Sequence, residues 1–317
     1  MNLKGQFLVG KHEINISKIV DINEVKEKFN ISSFEIVDFS TGYDECIYLL
    51  FLENVPNRID DMFVDTKYTV VCIEYDWKNT TVYDMKCYHL GILEYDYHYL
   101  RPYKKDLLLI GARCERFSDD EIENNALLIS RKGNMIKEFC LGDGIQDCIT
   151  TWDNQIIISY FDEGIFGNYG WDKPLGRSGL ISWNEFGKIN WENSKYGISD
   201  CYAMNIDSLN RLWFYYYTNF DLVCTDYKSD FILDPQIEGS HAFAISDTGK
   251  QIIMAGGYND ENFYIHDFNE DQTKMSKCKS VIFTSNQCKV DIVDYKFCSS
   301  KLLLLTENNI LCGYYFN

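Results

Sequence analysis

Two aspartates stand at matching positions of a short phrase that the sequence uses twice. The phrase is Gly-Ile-Gln-Asp-Cys at residues 144–148 and Gly-Ile-Ser-Asp-Cys at residues 197–201. In both copies an apolar stretch, a turn and further apolar stretches follow, a pattern that indicates short strands. The repeat therefore places Asp147 and Asp200 at the entry to the first strand of two successive structural units.

Two further residues, His241 and Asp291, stand at the strand entries of later units. Carboxylates that converge repel one another unless a cation or protons balance them. Oxygen ligands suit Ca²⁺, and a histidine among them admits Zn²⁺ or Mn²⁺. We therefore treat Asp147, Asp200, His241 and Asp291 as candidate ligands of a divalent cation. The alternative is that each aspartate caps a turn by bonding its own backbone.

A long segment at residues 161–177 follows the second strand of one unit and is rich in glycine, aromatic and charged residues. Glycine permits close backbone approach, and functional loops are often long and irregular. The residues that we expect to contact a ligand are Asp162, Glu163, Asn168, Trp171 and Arg177. The alternative is a packed lid in which Phe166, Tyr169 and Trp171 are buried.

The elements that carry these residues are short strands in a repeat of roughly 50 residues, which predicts four-stranded units stacked as in a β-propeller. We count six blades, with five or seven as alternatives, in a single domain over residues 1–317. A pair of β-sandwiches is the competing architecture. We expect residues 34–40 to open the first blade and residues 94–99 the second, with one short helix at residues 23–29.

The last unit lacks a fourth strand. Either residues 6–9 or residues 14–19 are expected to supply it and so to close the ring, which removes exposed strand edges. In a propeller, strand entries and the loops between second and third strands open on one face. That face collects the acidic loop residues, and the opposite turns carry more lysines. The acidic loop residues are Asp60, Asp61, Asp119, Asp120, Glu121, Glu123, Asp162, Glu163, Asp260 and Glu261.

The chain has 317 residues, a formal net charge of −18 and a sequence pI near 4.7. Phosphate binding needs Lys and Arg, so this charge disfavours nucleic acid and an anionic membrane as partners. It favours a protein partner, or a basic or cationic ligand. The twelve cysteines are scattered without zinc spacing, and no signal peptide is evident, so we expect a cytoplasmic protein. We also expect a monomer.

In its blade periodicity the chain resembles the six-bladed propellers of the NHL and SMP-30-like lactonase groups. Residues 160–168 (Tyr-Phe-Asp-Glu-Gly-Ile-Phe-Gly-Asn) are also similar to a loop of bacterial propeller-like proteins of unassigned function. The lactonase resemblance implies a divalent metal at the mouth of the channel. This chain departs from that pattern, because it lacks the matching Asn and Glu ligands.

Two functions follow from these observations. The favoured one is a propeller without catalytic activity that binds a protein partner or a cationic ligand on its acidic face. The alternative is a metal-dependent, lactonase-like hydrolase that uses the carboxylates at the channel mouth. No nucleophile elbow, phosphate-binding loop or zinc-protease motif is present in the sequence, so no catalytic residue is assigned.

Overall fold

The computed structural model describes residues 10–53 and 66–317, and these form six antiparallel-rich sheets, five of four strands and one of six. This arrangement is a six-bladed β-propeller, which confirms the predicted fold class. The proposed ring-closing strand at residues 6–9 and the acidic residues Asp60 and Asp61 lie outside the described residues.

The chain divides into two compact units, one made of residues 21–201 and the other of residues 202–317 together with the N-terminal residues up to 20. The described N-terminal segment contains two strands and a helix: β1 (Lys11–Asn15), β2 (Ser17–Asp21) and α1 (Ile22–Lys28). The Asp21 carboxylate caps α1 by accepting a hydrogen bond from the Asn23 amide at 2.9 Å. The predicted short helix is therefore present, one residue earlier than expected at each end.

Three blades belong to the unit of residues 21–201. Blade 1 contains β3 (Glu35–Thr41), β4 (Ile47–Leu52), β5 (Thr66–Asp76) and β6 (Thr81–Leu93). Blade 2 contains β7 (Tyr99–Tyr103), β8 (Asp106–Ile110), β9 (Ala126–Ile129) and β10 (Met135–Phe139). Blade 3 contains β11 (Ile145–Thr150), β12 (Ile156–Tyr160), β13 (Leu180–Trp183) and β14 (Ile189–Glu192). Between β12 and β13 lie a short helix, α2 (Asp162–Phe166), and a 3₁₀ turn (Leu175–Ser178).

The other three blades follow. Blade 4 contains β15 (Asp200–Ile206), β16 (Leu212–Tyr217), β17 (Asp221–Thr225) and β18 (Asp230–Leu233). Blade 5 contains β19 (Phe243–Ile245), β20 (Gln251–Ala255), β21 (Phe263–Asp267) and β22 (Lys279–Ser285), and the short β23 (Cys288–Lys289) pairs with β22. Blade 6 contains β24 (Ile292–Cys298), β25 (Lys301–Thr306) and β26 (Ile310–Tyr315).

The N-terminal strands complete the last two blades. β2 pairs with β26 and is the fourth strand of blade 6, whereas β1 adds to blade 5 as a parallel neighbour of β22. The segment predicted to close the propeller, residues 14–19, is thus divided between two strands at Ile16. The Ile16 amide donates to the Thr284 carbonyl at 2.8 Å, so the hydrogen bonding between β1 and β22 continues as far as Ile16.

The first strand of blade 2 is the clearest error of the sequence prediction. It begins at Tyr99 rather than at Glu94 and runs through Pro102, which pairs with Leu107 of β8. Proline discourages a strand assignment because it has no N–H to donate. β7 tolerates it because this strand has a partner on one side only.

Apolar strands in the middle of the blades form the core. β4 (Ile-Tyr-Leu-Leu-Phe-Leu) is buried along its whole length, and so is β25. A strand covered on both faces has no reason to alternate polar and apolar side chains. Outer strands such as β6 are largely exposed. In the described part of the chain, no helix has the length and apolar character needed to cross a membrane.

Candidate functional site

Two glycines bring the helix α2 into contact with the entry to β11. A Cβ atom added to Gly144 would overlap the backbone of Gly164, and a Cβ atom added to Gly164 would overlap the Asp143 carbonyl. Gly144 also has a φ of +70°, which favours glycine. The Phe161 amide donates to the Gly144 carbonyl at 2.9 Å. The start of the predicted ligand-binding segment is therefore fixed against the first copy of the repeated phrase.

The middle of the segment is anchored to residues that follow β8. The Trp171 indole N–H donates to the Cys114 carbonyl at 2.7 Å, and the Arg116 amide donates to the Tyr169 carbonyl at 2.9 Å. Trp171 is only 5% exposed, as the packed-lid alternative expected, but Phe166 is 69% exposed. The packed-lid alternative is therefore right for Trp171 and wrong for Phe166 and for Tyr169, which is 36% exposed.

Arg113 links two acidic side chains in this region. Its guanidinium donates to the buried Asp143 carboxylate at 2.9 Å and to Glu163 at 2.5 Å, and it lies 4.3 Å from the centre of the Tyr169 ring. The Asn168 amide also donates to Glu163, at 2.8 Å. Hydrogen bonds from Asn168 and then Arg113 lower the pKa of Glu163, so this carboxylate is ionised and satisfied within the protein.

Arg101 performs a similar role at the entry to the first strands. Its buried guanidinium donates to Asp38 at 2.8 Å and to Asp147 at 3.0 Å, and its Nε donates to the Cys148 carbonyl at 2.8 Å. The Cys148 amide donates to the Asp147 carboxylate at 2.7 Å. Asp147 is therefore paired with a buried arginine, although its own side chain is 33% exposed, and it also bonds the backbone of the next residue.

Asp200 differs from Asp147 although both occupy the same phrase. Its Oδ1 atom is buried and has no hydrogen-bond partner among the described residues. Burial, followed by the negative charge of Asp162, raises the pKa of Asp200 to about 7. Within the described chain no Lys or Arg forms an ion pair with Asp162 or Asp200. These two carboxyl groups are thus left without a cation.

The remaining predicted site residues are not combined into one centre. His241 precedes β19 and is exposed, and Asp291 precedes β24 with 72% of its side chain exposed and Lys289 4.0 Å away. Arg177 is exposed on the 3₁₀ turn. Over residues 10–53 and 66–317, no group of three or more His, Cys, Asp or Glu side chains is arranged to hold a metal. The proposed metal ligands stay a prediction.

The sequence prediction overlooked the basic residues that organise this region, Arg101 and Arg113. It also overlooked their buried acidic partners, Asp38 and Asp143. Both arginines stand directly in or after apolar strands of a chain that is strongly acidic. A cation in such a position needs a carboxylate partner when it is buried, which is a usable signal.

No protein-family model matches the sequence, and no curated protein matches it either. Solved structures with a similar fold exist. YCF48 bound to the D1 peptide is 10% identical over 95% of this chain and 96% of its own, with a TM-score of 0.49. A chain of the mitotic checkpoint complex is 9% identical over 87% and 88%, with a TM-score of 0.48. Virginiamycin B lyase from Staphylococcus aureus is 11% identical over 88% and 94%, with a TM-score of 0.46. Likeness at this level carries no argument about function.

Proposed function

We propose that this protein is a β-propeller without catalytic activity that binds a cationic group, presented by a protein partner or a small ligand, at Asp162 and Asp200. One observation carries the proposal: among the described residues, the buried Oδ1 atom of Asp200 has no hydrogen-bond partner, and the negative charge of Asp162 acts on the same carboxyl group. Two neighbouring carboxylates without a counter-ion are stabilised by a bound cation or by a shared proton.

The surroundings support a site for a ligand rather than a general excess of negative charge. The nearby carboxylates of Asp143 and Glu163 share Arg113, and that of Asp147 bonds Arg101. Among the described residues, the carboxylates of Asp143, Asp147 and Glu163 are thus paired with arginines, whereas those of Asp162 and Asp200 are not. Asp162 is exposed at the start of α2, so a ligand has access to it.

Thermal unfolding at pH 8 with and without added cations tests the proposal. The probes are spermidine, Ca²⁺, Mn²⁺ and Zn²⁺, each compared with the wild-type protein alone. A ligand at 100 times its Kd stabilises the folded state by about 2.7 kcal/mol. We expect a saturable increase in Tm with at least one probe, and a smaller increase in Asp162→Asn and Asp200→Asn.

Asp172→Asn is the matched control, because Asp172 is an exposed carboxylate of the same segment. It removes one charge and should keep the wild-type response. An equal loss of response in Asp172→Asn would indicate charge attraction alone. No response to any probe would contradict the proposal.

The metal-dependent hydrolase is the second candidate, and the pKa of Asp200 favours it to a limited extent. A carboxyl group that titrates near neutral pH is suited to general acid–base catalysis. Lactone hydrolysis that requires a divalent cation and is lost in Asp200→Asn would replace the binding proposal with this one.

We retain the cytoplasmic location as a proposal, supported by twelve cysteines that are all free thiols.

A further inference from the structure

Four aromatic side chains meet at one end of blades 4 and 5, in the unit formed by residues 202–317 and the N-terminal strands. The aromatic surface comprises Tyr202, Tyr217, Phe220 and Tyr258. The ring centres of Tyr202 and Phe220 are 6.3 Å apart, and the Tyr258 ring stands nearly perpendicular to both at 6.1 Å from each. Tyr258 is 55% exposed and Tyr217 41% exposed, so the cluster faces solvent.

The backbone beneath the aromatic surface holds its rings in place. An added Cβ at Gly239 would lie 2.8 Å from the Tyr258 ring, so that ring packs directly on the glycine backbone. The Tyr258 amide donates to the Glu238 carbonyl at 3.0 Å, and the hydroxyls of Tyr202 and Tyr258 are hydrogen-bonded to each other. A partner would therefore meet a surface that is already ordered, which lowers the entropy cost of binding.

The charge around the aromatic surface is mainly negative. Residues 218–220 and 256–262 join second to third strands at this end of the two blades, and residues 193–199 and 234–242 lead into β15 and β19. These segments and the first residue of β17 contain five carboxylates and one Lys or Arg side chain, that of Lys195; the carboxylates are Asp221, Asp234, Glu238, Asp260 and Glu261. The turns at the opposite end of these blades are balanced in charge: they contain Arg211, Lys228, Lys250, Lys274 and Lys277 together with Asp207, Asp226, Asp247, Glu270 and Asp271.

Aromatic faces attract cations through their electron-rich centres, and carboxylates at the rim add Coulomb attraction. An apolar partner would use the rings but would gain nothing from the excess of negative charge around them. We propose that the aromatic surface binds an arginine- and lysine-containing segment of a partner protein. Tyr202 follows Asp200 by two residues on β15, but the rings of the aromatic surface are different groups from the two carboxylates, and the inference does not depend on the function proposed for Asp162 and Asp200.

Fluorescence anisotropy with a labelled twelve-residue peptide of alternating glycine and Arg or Lys tests this inference. The protein is the full chain carrying Asp162→Asn and Asp200→Asn, so that binding at those two residues is removed. We expect saturable binding, and a loss of affinity of roughly three- to tenfold in Tyr258→Leu and in Phe220→Leu. Both substitutions leave the net charge unchanged, so general attraction to an acidic protein is unaffected.

Tyr227→Leu is the matched control, since Tyr227 is a partly exposed tyrosine in the turn between β17 and β18, at the opposite end of blade 4. It should bind the peptide as the parent protein does. Three results would each overturn the inference. The first is that the peptide does not bind, and the second is that a peptide with Glu in place of Arg and Lys binds equally well. The third is that all three leucine variants bind the peptide with the same affinity. Thermal unfolding confirms that each variant is folded.

Discussion

Replacement of Asp200 by asparagine should stabilise the protein at neutral and alkaline pH but not at acidic pH. The pKa of Asp200 is raised to about 7, whereas the pKa of an exposed aspartate is about 3.9. Between these two values the unfolded chain releases the proton and the folded chain keeps it. The free energy of unfolding therefore falls as pH rises through this window and levels off above pH 7. Asparagine has no charge to bury, so the variant loses this pH dependence.

The size of the effect follows from the shift. A difference of about three pKa units between the folded and unfolded chain changes the free energy of unfolding by about 4 kcal/mol at most. Asp200 is only partly buried, and solvent screening reduces the gain to on the order of 1–2 kcal/mol. Urea unfolding of wild type and Asp200→Asn from pH 5 to pH 8.5 measures it, with Asp172→Asn as the control. The reasoning fails if the difference between wild type and Asp200→Asn does not change with pH, or if the variant is less stable at pH 8.

Three other substitutions test the framework of the site through urea unfolding. Arg101→Met leaves the buried Asp38 without its counter-ion and should cost about 3 to 5 kcal/mol; a loss below about 1 kcal/mol would mean that the pair is dispensable. Gly164→Ala forces a Cβ against the Asp143 carbonyl and should cost about 1–3 kcal/mol, whereas Gly197→Ala meets no atom within 4 Å and should be nearly neutral. Trp171→Phe removes the bond to the Cys114 carbonyl and should cost about 1–2 kcal/mol; no change would show that the bond contributes nothing.

The blades were largely predictable because their middle strands are continuous apolar runs separated by turns. The run of four leucines at residues 302–305, for example, forms most of β25 (Lys301–Thr306). The first strand of blade 2 was misplaced because its proline is acceptable only where the strand lies at an edge of the sheet. That position is a property of the assembled blade and not of the local sequence.

The site was predictable only in part, because the contacts that decide it join distant residues. Asp147 and Asp200 occupy the same position of one repeated phrase, and the phrase does not indicate which of them will form an ion pair with a basic side chain. Asp147 meets Arg101, which lies 46 residues earlier on β7. β11, the first strand of the blade before Asp200, contains no basic residue. The two aspartates therefore differ in ion pairing because their neighbours in the fold differ.

Nuclear magnetic resonance titration of the Asp200 carboxyl carbon, with and without spermidine, tests the proposed cation site most directly. The carboxyl group should titrate near pH 7 in the protein alone, because of its burial and the charge of Asp162. A bound cation stabilises the ionised form, so saturating spermidine should lower the pKa of Asp200 by at least ~1 unit. Titration near pH 4 in the protein alone, or near pH 7 with and without spermidine, would contradict a cation site at Asp162 and Asp200.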